Sequence, residues 1–519
     1  MRGVLETNNQ SKFLRLGNTT EISCEVSADY VLPDYLGDVR RILFSECSVR
    51  PSGHFTDDSG DEFSGIVLFE VVYLDAEGKP TRAGFTADYD MKLRADEGRC
   101  SAICVPTVQN CFVRSTGPRR FSGGAVVVGS VRCVVEDEMV ASGSTFDMGD
   151  NVERLKDTLN LRLCCESEKR EREFAEKIER LEGAIADEVE IVYSGASASV
   201  TRATADAEGV RLEGELTIYA LLSNDGSPLY LAEKSVPFDE VVEMKFEGEP
   251  SFIPVCHVVS VTATANPDES GTEVVVSAIV EMSAIGELNV KRSFDLDAFA
   301  PGSSVENTYR DYRYTELSSA FATDISGTAE LKSELVSQEK LRDIPYVTGC
   351  AKVTSAEIAS GEIKVCGELR LMGAASVIDG EGGVCCSGVK FNMPFEERIK
   401  CNVDANENQK LDLNVSLCRA SAAVDTDSVV VSYKLSASGA VSVPSSAKLL
   451  ESSNVVSKDD DKSEKVITVY YPEAGETLFD VCRKFSAPLA RVAATNELSA
   501  SVAGDGSSVL DGVKRLVIY

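Results

Sequence analysis

Val210-Arg-Leu-Glu-Gly-Glu-Leu-Thr-Ile-Tyr219 returns later in the chain as Ile363-Lys-Val-Cys-Gly-Glu-Leu-Arg-Leu-Met372. Both stretches alternate apolar and polar residues around a Gly-Glu-Leu, the pattern of a half-buried strand. A second motif follows each at similar spacing: Val236-Pro-Phe-Asp-Glu-Val-Val-Glu243 and Met393-Pro-Phe-Glu-Glu-Arg-Ile-Lys400. Gly195 and Gly349 precede the two central glycines by 19 and 18 residues. Phe63-Ser-Gly-Ile-Val-Leu-Phe-Glu-Val-Val-Tyr73 supplies a weaker copy of the first motif, with Phe85 to Leu93 in place of the Pro-Phe segment. Gly65, Gly214 and Gly367 then lie 149 and 153 residues apart. Self-similarity at a fixed period is the mark of a repeat architecture.

Each copy is rich in Val, Ile, Leu, Tyr and Thr, with turns such as Asn224-Asp-Gly-Ser-Pro228. Later strands are expected at His257–Thr264 and Thr272–Val280. Val152 to Ile185 is charged, with Glu173 and Lys177 at i, i+4, and is expected to be a helical connector. A weaker helical segment is expected around Tyr314–Leu331. Ser445 to Lys465 reads as a flexible polar linker. The expected fold is multidomain and mainly β: three β-sandwich or barrel-like repeats with helical connectors, then a small βααβ module. The boundaries expected are 1–165, 166–315 and 316–445 for the repeats, 446–465 for the linker and 466–519 for the module.

The module is read from its own residues. Val466 to Tyr471 is β-branched and aromatic and favours a strand. Pro472 and Gly475 punctuate it, and Thr477 stands at a helix N-cap position without a full capping box. Leu478, Val481, Cys482 and Phe485 share one helix face. Pro488 opens a second helix with Leu489, Val492 and Ala493 inward, ending near Asn496. Leu516-Val-Ile518 is the returning strand.

Tyr471, Gly475-Glu-Thr-Leu478, Val481, Phe485, Leu489, Asn496-Glu-Leu498 and Leu516-Val-Ile518 make this segment resemble the LysM domain. Glu476 and Cys482 depart from the usual residues, and Ser499 to Val509 reads as an insertion beside the groove. The resemblance implies binding of N-acetylglucosamine-containing glycans through Gly475, Glu476, Thr477, Leu478, Asn496, Glu497 and Leu498. The departures make a protein partner at least as good a candidate. The Gly-Glu-Leu strand, the Pro-Phe-(Asp/Glu)-Glu segment and their spacing, ahead of such a tail, resemble the bacterial sporulation family in which SPOCS domains precede a LysM module. That resemblance implies a non-enzymatic scaffold or adaptor of spore coat or cortex assembly. It would lie in the mother-cell cytoplasm at the forespore surface, with the spore-coat morphogenetic ATPase or other coat proteins as partners. The alternative is a peptidoglycan-binding cell-wall protein.

Composition narrows the other classes. The 519 residues carry a net charge of −32, while the module, with six acids and five bases, is nearly balanced. An acidic body argues against nucleic acid, which requires basic patches. The first residues lack an apolar signal core and no apolar run approaches a membrane span, so neither export nor membrane insertion is expected. The 16 cysteines are irregularly spaced and read as mostly buried, reduced thiols. Only His54, read as a loop residue, and His257, in a strand pattern, are available for imidazole chemistry. Cys100, Cys104 and Cys111 lack paired zinc-knuckle spacing, Asp57 to Glu62 departs from a calcium loop, and there is no P-loop. No cofactor and no catalytic residue is expected.

Overall fold

The computed structural model describes residues 12–94, 99–138, 152–182, 189–224, 228–246, 248–268, 271–359, 361–378, 380, 382–401, 403, 408–458, 467–499 and 506–519. The first repeat comprises β1 (Lys12–Val31), β2 (Val39–Asp57), β3 (Gly60–Asp75), β4 (Pro80–Arg94), β5 (Arg99–Gly117) and β6 (Arg120–Glu138). They form two antiparallel sheets, ordered β2-β3-β4 and β1-β6-β5. Val67, Phe69 and Val71 of β3 and Phe85 and Met91 of β4 share one core with Phe121, Ala125 and Val127 of β6. Alternate residues of each sheet therefore close a sandwich.

The second repeat comprises β7 (Glu153–Glu166), β8 (Arg170–Glu182), β9 (Val189–Ala205), β10 (Gly209–Asn224), β11 (Tyr230–Glu243), β12 (Ser251–Asp268) and β13 (Gly271–Phe299). Its sheets are β9-β10-β11 and β12-β13, with β8 on the first half of β13 and β7 on the second. The third comprises β14 (Ser303–Lys332), a single helical turn α1 (Ser333–Val336), β15 (Lys340–Ala359), β16 (Glu362–Ile378), β17 (Val384–Lys400), β18 (Lys410–Val424) and β19 (Ser428–Lys458). Here one bridge, Val347 to Ala420, joins β15-β16-β17 to β14-β19-β18. The same plan is thus used three times. Together β7 and β8 do in the second repeat what the single long β14 does in the third.

The two recurring motifs are cross-strand partners. Gly65 lies opposite Tyr89, Gly214 opposite Phe238 and Gly367 opposite Phe395. A Cβ on these glycines would fall 2.3–2.4 Å from a carbonyl oxygen of the neighbouring strand and into the aromatic ring. The ring of the Pro-Phe motif fills the space that the Gly-Glu-Leu glycine leaves empty, which explains why the motifs travel together.

Several expectations are corrected. Val152 to Ile185, expected helical, forms no helix where described: it is strand over β7 and β8, joined by the short connection 167–169. Phe174 is buried in the core, and Lys177 pairs across strands with Glu273 and not along a helix with Glu173. Tyr314–Leu331 lies within β14. Pairing with β13 and β19 supplies partners that helix propensity cannot match. The stretch expected as a flexible linker is strand as far as Lys458, paired with Ser303; its remainder lies outside the described residues. His54 belongs to β2, not a loop, and stacks on Phe63 while its Nε2 lies 3.0 Å from Asp61 Oδ1.

The thiols are not all reduced: Cys47 of β2 and Cys111 of β5 are disulfide-bonded. The bond clasps the two sheets of the first repeat. It closes a separation of 64 residues, so Cys47→Ser is expected to lower stability by about 2–4 kcal/mol. A fall in the urea midpoint, reproduced in wild type by a reducing agent, checks this.

The three sandwiches close into a ring. Phe44, Tyr193 and Tyr346 occupy equivalent positions, each paired with the residue seven after its central glycine: Val72, Leu221 and Ala374. Each ring touches the other two, at 5.4 Å for Phe44–Tyr193, 4.7 Å for Phe44–Tyr346 and 5.6 Å for Tyr193–Tyr346. This triad marks a pseudo-threefold axis. Each seam carries polar contacts: Lys79 to Glu190 at 3.0 Å, Arg419 to Glu233, and Arg41 to Glu339 at 3.3 Å. The last of these joins the third repeat to the first, and Gly388 of β17 abuts the backbone of Ile42 and Leu43. Away from the triad, Leu16, Ile103 and Val134 of the first repeat pack on Cys164, Ile253 and Ile285 of the second.

Candidate functional site

The carboxy-terminal module has the order β20 (Thr468–Tyr470), α2 (Leu478–Lys484), α3 (Leu489–Thr495) and β21 (Leu516–Ile518), with β20 and β21 antiparallel. Leu478, Val481, Cys482, Leu489 and Val492 are buried between the helices and Leu516 and Ile518. Thr477 caps α2 more completely than expected: Asp480 N–H donates to Thr477 Oγ1 at 3.1 Å, and Thr477 N–H to Asp480 Oδ2 at 3.0 Å. Asp serves here as the short partner of a capping box. Phe485 and Asn496 close the two helices.

The candidate groove residues divide by what already occupies them. Gly475 is exposed and turns the chain with φ +88°. The Glu476 carboxylate accepts from Tyr470 OH at 2.9 Å and Glu473 N–H at 2.8 Å. Asn496 donates to the carbonyls of Val492 and Val517 and accepts from Val517 N–H at 2.7 Å. Leu478 is buried and Leu498 half-buried. Glu497 is exposed with φ +51°. Glu476, Thr477 and Asn496 therefore hold the module together. Gly475 and Glu497 are the exposed members of the set. The end of the expected insertion folds onto the first turn: Phe479 N–H donates to Gly506 O at 3.0 Å and Leu510 N–H to Glu476 O at 2.9 Å.

The module is seated on the ring. Phe479 packs edge-on against Phe299 of β13 at 5.1 Å, Leu155 of β7 joins the same cluster, and Arg483 pairs with Asp297. Leu489 N–H donates to Glu153 Oε1 at 3.3 Å. The body thus meets the helical side of the module.

A second site was not legible in the sequence. The facing edges of β2 and β5, β9 and β12, and β15 and β18 surround a cavity of about 800 Å³ to which all three repeats contribute. That volume is within the range of small-molecule sites. Glu46 stands in its wall beneath the aromatic triad. Tyr193 OH donates to Glu46 Oε2 at 2.7 Å and Tyr346 OH at 3.0 Å. Burial pushes the Glu46 pKa up, against these hydrogen bonds, and holds both tyrosine hydroxyls well above their ordinary range. Cys256 and Cys418 also line the cavity, their thiols raised by burial to about 12 and about 11, which keeps them protonated and unreactive at neutral pH. No sequence signal marks these residues as neighbours, because they come from three different repeats.

Glu46 gives a pH test. A carboxyl with a raised folded-state pKa makes the folded state bind more protons than the unfolded chain. Its contribution therefore becomes destabilising as pH rises above the ordinary value of 4.5 through the folded one. Glu46→Gln is expected to melt at a higher temperature than wild type at pH 8, with the difference vanishing below the ordinary value. Melting curves across pH check it.

Among the described residues no group of three or more His, Cys, Asp or Glu is arranged to hold a metal. Cys111, one of the candidate zinc thiols, is bonded to Cys47. Asp57 instead caps its own hairpin turn, accepting from Ser59 N–H at 2.7 Å. No helix among the described residues is long and apolar enough to cross a membrane. No family model, curated protein or solved structure matches the chain.

Proposed function

We propose that the chain is a non-enzymatic scaffold of the bacterial endospore envelope, acting in coat or cortex assembly from the mother-cell side of the forespore. The three SPOCS-like repeats are its body and the LysM-like module is its docking tail. The partner is a coat-assembly protein, with the spore-coat morphogenetic ATPase as the leading candidate. The observation that carries this reading is the pairing of a closed body with an outward tail. The repeats spend their seams on one another, and the module is seated on them by its helical side. The internal use of Glu476 and Asn496 favours a protein over a sugar.

A fluorescent fusion in sporulating cells tests the reading. A ring around the forespore, absent from vegetative cells, is the expected result. Uniform fluorescence throughout growth would remove the reading. Exposure of Gly475 and Glu497 supports the second reading, binding of N-acetylglucosamine-containing glycan or peptidoglycan. Retention of the full chain on insoluble peptidoglycan, lost on Glu497→Ala, would favour it.

A further inference from the structure

Strand alternation tells which side chains the three repeats turn toward the cavity between them. Cys47 and Val49 of β2 pack on the core of the first repeat, and Leu413 and Val415 of β18 on that of the third. Ser48, Asn414 and Ser416 alternate with them and therefore face the other way, into the cavity they line. Among the described residues nothing bonds to these three side chains, so two hydroxyls and an amide are open to a ligand. The same cavity has apolar surface. Half-buried Met372 belongs to the cluster around the aromatic triad, and half-buried Val105 and Val255 to the cluster that joins the first two repeats.

A separate observation concerns the charges of the wall, which cancel among the described residues. Arg132 pairs with Glu287 at 2.9 Å and Arg370 with Glu368 at 3.1 Å. Glu21 of the first repeat and Lys390 of the third, both exposed, are of opposite sign. Burial moves the other two, Glu46 and His257, each toward its uncharged form. An ion entering the cavity would exchange water for a wall without a net opposite charge, which is costly. An uncharged molecule loses less water and gains both apolar contact and hydrogen bonds.

We propose that the central cavity binds an uncharged organic molecule with an apolar body and a carbonyl, amide or hydroxyl group. Ser48, Asn414 and Ser416 meet its polar group, and Met372, Val105 and Val255 its body. Such a ligand touches all three repeats, so its binding adds to the closure of the ring.

The test titrates the full-length protein with the uncharged naphthyl ketone Prodan, whose emission shifts to the blue when it leaves water. Saturable binding of one dye per chain is expected, with a rise in the melting temperature of the protein. Ser48→Trp and Ser416→Trp, one from the first repeat and one from the third, place an indole in the cavity. Each is expected to weaken binding about tenfold or more. Leu335→Trp, exposed on α1 and outside the cavity, should bind as wild type does. Unchanged melting of the dye-free variants shows that the ring stays closed. Anilinonaphthalene sulfonate, of similar size but anionic, is expected to show no binding that the two serine substitutions abolish. Absence of saturable Prodan binding overturns the proposal and leaves the cavity to water. Prodan binding unchanged in either serine variant overturns it too, as does a sulfonate site lost in both.

Discussion

Glu287→Ala is expected to destabilise the folded chain by about 3–5 kcal/mol. Glu287 is fully buried in β13 and holds two arginines. Arg132 Nε of the first repeat donates to Oε1 at 2.9 Å, and Arg162 of β7 donates to Oε2 through Nε at 2.9 Å and Nη2 at 2.6 Å. Arg162 also reaches Asp412 of the third repeat at 3.2 Å. Removing the carboxylate takes the ion-pair partner from buried Arg132 and leaves buried Arg162 with Asp412 alone, which costs more than the pairs contribute. Replacing Glu287, Arg132 and Arg162 together by apolar residues of similar size is expected to recover much of the loss. Urea unfolding of the single and triple variants checks both statements. A single variant as stable as wild type would show that the network is not buried between repeats.

Phe44→Ala is expected to cost about 3–5 kcal/mol, the range for emptying a buried aromatic site. Phe44 is 1% exposed and stands between Tyr193 and Tyr346, so the void opens at the meeting point of all three repeats. The loss should not stay local. Hydrogen exchange should quicken in β9 and β15 as well as in β2. Phe55→Ala, in the same strand but 64% exposed, should change stability by no more than about 0.5 kcal/mol. Equal effects of the two substitutions would refute the packing described here.

The repeat was legible because its signal is local. Gly214 and Phe238 recur at Gly367 and Phe395, and the structure shows the reason: each glycine lies directly under its aromatic partner. Apolar spacing likewise located α2, α3 and β21. The errors arose where long-range pairing decides conformation. Glu168 to Lys177 looks helical by composition, yet β8 is held by Val274, Val276 and Ala278 of β13, about a hundred residues away. Closure of the ring left no trace in the sequence, since Phe44, Tyr193 and Tyr346 look like any inward strand residues. The groove set was legible as turns, but spacing alone does not tell that Glu476 and Asn496 are already bonded within the module.

The central claim is that the third repeat returns to the first, and the Arg41–Glu339 seam offers the most direct measurement. The photo-crosslinking amino acid p-benzoylphenylalanine is placed at position 41 of the full chain, and crosslinks are mapped by mass spectrometry. The account predicts a monomeric product linked to residues around Glu339 or Gly388. Crosslinks confined to the first repeat, or formed only between separate chains, would contradict it.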